Sequence, residues 1–141
     1  MKLSEIYNSG NKVLSFEIFP PKKEEELQNI DATLEILADL NPAYISVTFG
    51  AGGSSNNNKT IRLANKIKDQ YGIEPVVHLT CLPYDQSEID SFCKELADNG
   101  VENVLALRGD PPSGTVNFVP NKNGFSHANE LVEFIKENTD L

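Results

Sequence analysis

The chain has 141 residues, which is close to the usual size of one domain and enough to bury one hydrophobic core. It carries 12 Lys and Arg against 21 Asp and Glu residues, a formal charge of −9, which argues against nucleic-acid and anionic-membrane partners because both bind clustered positive charge. No apolar run approaches the roughly 20 residues that span a bilayer. With no leader visible and two cysteines expected to be reduced thiols, we expect a cytoplasmic protein.

The first half of the chain predicts two strand–helix units. Lys12–Phe19 is rich in apolar residues and stops at a double proline, which is typical of a strand followed by a break. Apolar residues then recur at helical spacing over 27–40, which predicts an amphipathic helix. The second unit has a strand at Ala43–Phe49, a loop rich in glycine and asparagine at 50–58, and a helix at Lys59–Tyr71.

The second half predicts two more units. A strand at Pro75–Thr80 precedes a helix capped by Ser87, with Asp90 three residues later, and Gly100 ends that helix. Its predicted buried face consists of Ile89, Phe92, Cys93, Leu96 and Ala97. A strand at Glu102–Leu107 leads through a long connection, Gly109–Ser126, to the last helix, Ala128–Asn138. The apolar face of that helix is predicted to be Ala128, Leu131, Val132 and Ile135.

This alternation predicts an α/β fold in which the strands are parallel and the crossovers are right-handed. Polar residues recur in it about every thirty residues: Glu17 in the first strand, Thr48 ending the second, His78 in the third, and Arg108 after the fourth. The steps are 48 − 17 = 31, 78 − 48 = 30 and 108 − 78 = 30, the length of one strand–helix unit. Parallel strands therefore bring these groups to one carboxyl edge, where α/β proteins build their sites.

Each of these groups also has an ordinary structural interpretation. Glu17 is either a solvated strand carboxylate or a partly desolvated one, and desolvation between apolar neighbours would raise the pKa of its carboxyl toward that of a general acid. Thr48 and His78, taken singly, are common strand residues. Arg108-Gly109-Asp110 either presents two charges at the strand end or forms a local ion pair of small value.

Two loops are further candidate features, and two kinds of site are not indicated by the sequence. Gly50-Ala51-Gly52-Gly53 is similar to a phosphate-binding loop but lacks the spacing and the lysine of a P-loop. The connection after the fourth strand is long enough to indicate a functional or mobile segment. Neither a metal-ligand spacing nor a Ser–His–Asp set is evident.

Four motifs in order carry a family resemblance: SFEIFPP at 15–21, SVTFGAGG at 46–53, HLTC at 78–81 and LALRGDPP at 105–112. Together they resemble the amino-terminal half of the methylenetetrahydrofolate reductase family, over about Val13 to Ile135. The resemblance implies an eight-fold βα barrel, which takes about 250 residues. Four βα units are present, so we expect one domain, 1–141, that is a half-barrel and a truncated part of the whole.

The resemblance also implies an activity: reduction of 5,10-methylenetetrahydrofolate to 5-methyltetrahydrofolate by FAD, with NADH or NADPH as donor. Glu17 matches the family's general acid and contacts the folate, and Asp110 matches an aspartate beside flavin and folate that supports a cationic iminium. Arg108 suits the FAD pyrophosphate. The implied FAD or nicotinamide contacts are Thr48, Phe49, Ala51, His78, Arg108, Gly109, Asp110 and Ala128.

The chain also departs from the family pattern. Ser54–Lys59 stands where arginine and acidic residues are common, and His127 stands where tyrosine is common. The later strands are missing. Two alternatives therefore stay open: a non-catalytic half-barrel that pairs with itself or with a separate half, because an open sheet leaves two unpaired edges, and a different flavin- or phosphate-binding βα protein. A homo-oligomer or a paired half-barrel is expected.

Overall fold

The computed structural model describes residues 1–21, 27–49, 54–82, 84–111 and 119–141. Within these ranges strands and helices alternate after a first short helix. The elements are α1 (Leu3–Asn8), β1 (Ser15–Ile18), α2 (Leu27–Asp39), β2 (Tyr44–Val47), α3 (Ser54–Tyr71), β3 (Glu74–Thr80), α4 (Gln86–Asp98), β4 (Val104–Leu107) and α5 (Ala128–Asn138). The strands β1, β2 and β4 are shorter than predicted: β1 and β2 lose residues at both ends, and β4 begins two residues later.

The four strands form one parallel sheet in the order β1-β2-β3-β4. Consecutive parallel neighbours joined by helices are the arrangement of βα units in a barrel. The predicted α/β class and the four βα units of a half-barrel are therefore confirmed.

The two faces of the sheet differ, because successive side chains of a strand point to opposite sides. We call one the helical face: its strand side chains pack against α2 to α5 in the hydrophobic core, and they are Ile18, Ile45, Val47, Val77 and Leu79. We call the other the opposite face: it carries Glu17, Ser46, Val76, His78, Leu105 and Leu107. The helical face forms the hydrophobic core, so the opposite face is the one that is available for functional side chains.

Helix α1 was not predicted, and it lies at the amino ends of the strands. The backbone N–H of Leu3 donates to the Asn103 side chain at 2.8 Å, and the Tyr7 and Tyr44 hydroxyls lie 2.9 Å apart. None of its residues is buried, so it lacks the apolar periodicity that identifies a helix from sequence. Contacts with residues far along the chain hold it in place.

Two helix starts differ from the prediction. Helix α3 begins at Ser54, so 54–58, predicted as part of a loop, is helical. Serine and asparagine each cost less than about 0.7 kcal/mol in a helix, and the predicted buried residues Ile61, Ala64 and Ile67 anchor the rest of it. The cap of α4 is Asp85, not Ser87: the Asp85 carboxylate accepts the Glu88 N–H at 3.0 Å, and Ser87 donates its hydroxyl to that carboxylate.

Two helix faces are narrower than predicted. On α4, Ile89, Cys93 and Leu96 are buried as expected, whereas Ala97 is exposed. On α5, Leu131 and Ile135 are buried, whereas Val132 is exposed. A helix turns by about 100° per residue, so the residue directly after a central buried position leaves the core.

Candidate functional site

Glu17 and His78 meet on the opposite face, although their strands are not neighbours. Nε2 of His78 on β3 lies 3.4 Å from Oε2 of Glu17 on β1. The His78 side chain is 7% exposed, and its Nε2 has no hydrogen-bond partner among the described residues. Burial lowers the pKa of His78, and the Glu17 carboxylate opposes that shift in part. The imidazole is therefore favoured in its neutral form.

Ser46 on the intervening strand β2 makes this contact possible. It is aligned with Glu17 in the β1–β2 register, and it is buried. Its hydroxyl turns back to the Phe16 carbonyl at 3.4 Å. Because serine is small, the longer side chains on either side reach across it. The sequence argument missed Ser46, although its distance from Glu17, 46 − 17 = 29 residues, fits the same rhythm.

The expected desolvation of Glu17 is wrong, since its side chain is 50% exposed. The apolar neighbours Phe16 and Ile18 point to the helical face, as the alternation of a strand requires, and leave the carboxylate on the other side. Glu17 instead borders a cavity of about 480 Å³ on the opposite face. The cavity extends toward the amino ends of the strands, and the other residues that line it include Leu3, Tyr7, Tyr44, Ser46, Val76 and Leu105. The carboxylate is thus accessible to a small molecule.

Thr48 extends the sheet beyond the end of β2. Its backbone N–H donates to the Ile18 carbonyl at 3.0 Å, and its carbonyl accepts the Thr60 hydroxyl at 3.3 Å. Thr48 directly follows Val47, and His78 directly follows Val77, the residue paired with Val47. The sheet therefore places Thr48 beside the His78 position, as the thirty-residue rhythm predicts.

The Arg108-Gly109-Asp110 turn is fixed by a continuation of the β3–β4 ladder. The Cys81 and Leu82 N–H groups donate to the Leu107 and Arg108 carbonyls, both at 3.0 Å. Gly109 has φ +78°, and a Cβ there would come within 2.9 Å of the Thr80 Cβ. Only glycine combines this conformation with this close approach. Arg108 and Asp110 are both exposed at the carboxyl edge.

The start of α5 lies beside this turn. Nε of Arg108 donates to the Ser126 carbonyl at 3.0 Å, two residues before Ala128. The Glu130 carboxylate accepts the Ser126 and His127 N–H groups, and these bonds lower the pKa of Glu130. Ala128, the first residue of α5, is thereby brought to the same edge as Arg108.

The ring of Phe49 lies in an aromatic cluster rather than on the opposite face. It packs edge-on against Tyr84 at 6.1 Å and Phe92 at 5.8 Å between ring centroids. These partners come from the segment after β3 and from α4, and the cluster packs against the core. Ala51, the remaining predicted cofactor contact, lies outside the described residues together with the rest of Gly50–Gly53.

The described ranges lack two other kinds of feature. They hold no cluster of three or more His, Cys, Asp or Glu side chains arranged to bind a metal ion. None of their helices is long and apolar enough to cross a membrane.

Comparison with known proteins places these residues in a family. The family model for methylenetetrahydrofolate reductase matches residues 2–141. The chain is 39% identical over 135 residues to the probable methylenetetrahydrofolate reductase (NADH) of Oryza sativa, and 34% identical over 139 residues to the 5,10-methylenetetrahydrofolate reductase of Escherichia coli K12. These alignments cover 96% and 99% of the chain, but 23% and 44% of the relatives.

The chain thus spans less than half of the length of these relatives. The match nevertheless runs through all four βα units and every predicted site residue. The chain belongs to the methylenetetrahydrofolate reductase family.

Proposed function

We propose that residues 1–141 form the amino-terminal half-barrel of an enzyme that reduces 5,10-methylenetetrahydrofolate to 5-methyltetrahydrofolate, with FAD as cofactor and NADH or NADPH as donor. One observation carries this: an accessible carboxylate, Glu17, lies against a buried imidazole, His78, on the opposite face of the sheet. The reaction needs a proton donor that the folate can reach, and Glu17 satisfies that condition.

The described residues fit a flavin in three respects. A buried nitrogen, Nε2 of His78, has no protein hydrogen-bond partner among them, and a ligand atom can supply one. The turn at Gly109 leaves no space for a Cβ, so backbone lies directly at the edge. Arg108 is exposed beside the start of α5, and a guanidinium can bind a phosphate bidentately.

FAD, when bound, supplies hydride transfer from the nicotinamide to the folate. In this proposal Glu17 donates the proton that the bridging nitrogen takes when its bond to the methylene carbon breaks and the iminium forms. The Asp110 carboxylate, which is exposed at the carboxyl edge, supplies a negative charge opposite to that of the cation. Thr48, the Phe49 backbone, Gly109 and Ala128 are proposed contacts along the same edge. Ala51, which lies outside the described residues, is proposed as a contact from the family resemblance alone.

The proposal extends to location and assembly. The two cysteines, Cys81 and Cys93, are free and buried, which supports a reducing, cytoplasmic environment. No nucleic-acid or membrane partner is proposed, in keeping with the charge of −9.

A second candidate is a half-barrel that binds FAD only after pairing with another half, either a second copy or a separate chain. Leu105 and Leu107 on β4 favour it, because these apolar side chains on the opposite face are 44% and 36% exposed. β1 and β4 are also the outer strands of the described sheet.

A titration of the purified chain with FAD tests these candidates. Flavin fluorescence measures binding, and light scattering measures the molecular mass before and after addition. Binding by the monomer supports a competent half-site, whereas binding that accompanies a doubling of mass supports pairing. Binding by neither form, even with the second half of a related reductase added, contradicts both. Arg108→Lys should weaken FAD binding, because lysine cannot bind a pyrophosphate bidentately. Lys122→Arg, a substitution at an exposed position near the same edge, is the control for this comparison.

A further inference from the structure

The contact between Glu17 and His78 has features that cofactor binding alone does not explain. It joins two strands separated by a third, across the one position where Ser46 leaves room. The carboxylate is half exposed, whereas the imidazole beside it is almost wholly buried. A flexible, solvated side chain thus touches a rigid one, and the rigid partner restrains it.

The electrostatic environment of His78 is simple. The ladder aligns it with Leu105 on β4, and the β2 residues on its face are Ser46 and Thr48, none of which carries a charge. Glu17 is the charged group whose field acts on it among the described residues. On β3 itself, Glu74 lies at the other end of the strand and accepts a hydrogen bond from Asn103. The protonation of His78 is therefore linked to Glu17.

We propose that His78 is the positioning residue for the Glu17 carboxyl: the neutral imidazole contacts Oε2 through Nε2 and holds the carboxyl against the cavity on the opposite face. The contact is not a hydrogen bond, because Nε2 has no hydrogen-bond partner among the described residues, so His78 restrains Oε2 by close packing at 3.4 Å. A carboxyl held against His78 presents its proton in one orientation, as a general acid requires.

The contact itself is testable without cofactor or substrate. The chain has two histidines, so the imidazole Cε1 carbon resonances of His78 and His127 are readily distinguished by NMR. In the wild-type chain we expect His78 to titrate below the ordinary value of 6.5. In Glu17→Gln its midpoint should fall further, because the carboxylate that raises the pKa is gone and the burial that lowers it remains.

Two controls accompany this titration. His127, which is exposed and lies near Glu130, provides the internal reference signal in the same spectra. Glu35→Gln, an exposed change on α2, removes a carboxylate elsewhere and should leave His78 unchanged. Glu17 is half exposed, so Glu17→Gln should fold, and circular dichroism of the same sample establishes that it does. An unchanged or higher His78 midpoint in Glu17→Gln would overturn the proposal.

The catalytic meaning of the contact rests on the proposed function, and a second readout separates the two. In the FAD-loaded protein, His78→Leu should lower kcat for folate reduction by up to about 100-fold and displace its pH profile, because a misplaced acid transfers its proton poorly. His78→Gln, which keeps a side-chain nitrogen, should restore part of the loss. FAD affinity, measured separately, identifies any loss that comes from cofactor binding.

The outcomes for the two ideas are distinguishable. If the His78 midpoint falls in Glu17→Gln but the FAD-loaded protein reduces no folate, the contact stands and the proposed function is overturned. Folate reduction with an unlinked titration, or with the same pH profile in His78→Leu as in the wild type, overturns the positioning role and leaves the proposed function intact.

Discussion

The helical face and the opposite face of the sheet are made from alternate residues of the same strands, but they have different compositions. Val47, Val77 and Leu79 on the helical face are completely buried against helices. On the opposite face, Glu17 and Leu105 are about half exposed, and His78 is buried without a hydrogen-bond partner among the described residues. Apolar packing thus satisfies one face fully, whereas the other keeps polar groups that packing does not satisfy. The opposite face is therefore where a ligand can supply the contacts that these polar groups lack.

The largest expected effect on stability comes from truncating a leucine on each face. Leu79→Ala should lower the free energy of unfolding by about 2–5 kcal/mol, since it opens a cavity in the core. Leu105→Ala, its matched control on the adjacent strand, should cost about 1 kcal/mol or less, because Leu105 is already partly in water. Urea unfolding of both variants measures the difference. Equal losses would mean that the opposite face is packed as tightly as the helical face in solution.

An intermediate effect is expected at the edge where the opposite face meets the Arg-Gly-Asp turn. Gly109→Ala should cost about 1–3 kcal/mol, because it combines a strained φ of +78° with an approach of 2.9 Å to Thr80. Gly72→Ala is the matched control, since Gly72 has φ +66° with nothing within 4 Å of an added Cβ. The difference between the two unfolding free energies isolates the contact with Thr80. If Gly72→Ala costs as much, the turn is not closely packed against β3.

The smallest effect is expected at the start of α4, the helix that covers β3 on the helical face. The hydroxyl of Ser87 and the backbone N–H of Glu88 lower the pKa of Asp85 below its ordinary 3.8. A depressed pKa stabilises the fold above the unfolded value, and this contribution disappears as the pH falls through the folded pKa. The urea midpoint of Asp85→Asn should therefore be slightly lower than that of the wild type at neutral pH. The difference between the two midpoints should disappear in acid.

Ser87→Ala provides the control for this prediction. If Asp85 is the cap, Asp85→Ala should lower the urea midpoint more than Ser87→Ala does at neutral pH. If Ser87→Ala lowers the urea midpoint more than Asp85→Ala does, then Ser87 is the cap and Asp85 is not the source of the pH dependence.

The sequence was sufficient to predict the sheet and its carboxyl edge. Strand–helix alternation predicts consecutive parallel strands, and the structure has that order. The thirty-residue steps then predict that Thr48 and His78 follow paired residues, which they do. These features depend on local patterns and on the fixed geometry of βα units, so they are accessible without coordinates.

Other features depend on which side chains meet across the fold. Phe16 and Ile18 flank Glu17 in the sequence but lie on the other face, so sequence proximity gave the wrong environment for its carboxylate. The contact with His78 depends on a small residue at position 46 of the intervening strand. Helix α1 is held by Asn103, about a hundred residues away. Such contacts follow from register and side-chain reach, which periodicity does not contain.

Under the proposed function, Glu17 on the opposite face supplies the proton for folate reduction. The direct test is the anaerobic rate at which 5,10-methylenetetrahydrofolate reoxidises the reduced flavin in the FAD-loaded protein that carries this chain. Glu17→Gln should slow this step by at least about 100-fold, the usual contribution of a general acid, while flavin reduction by NADH or NADPH and the urea midpoint stay close to wild type. Reoxidation at the wild-type rate in Glu17→Gln would contradict the account.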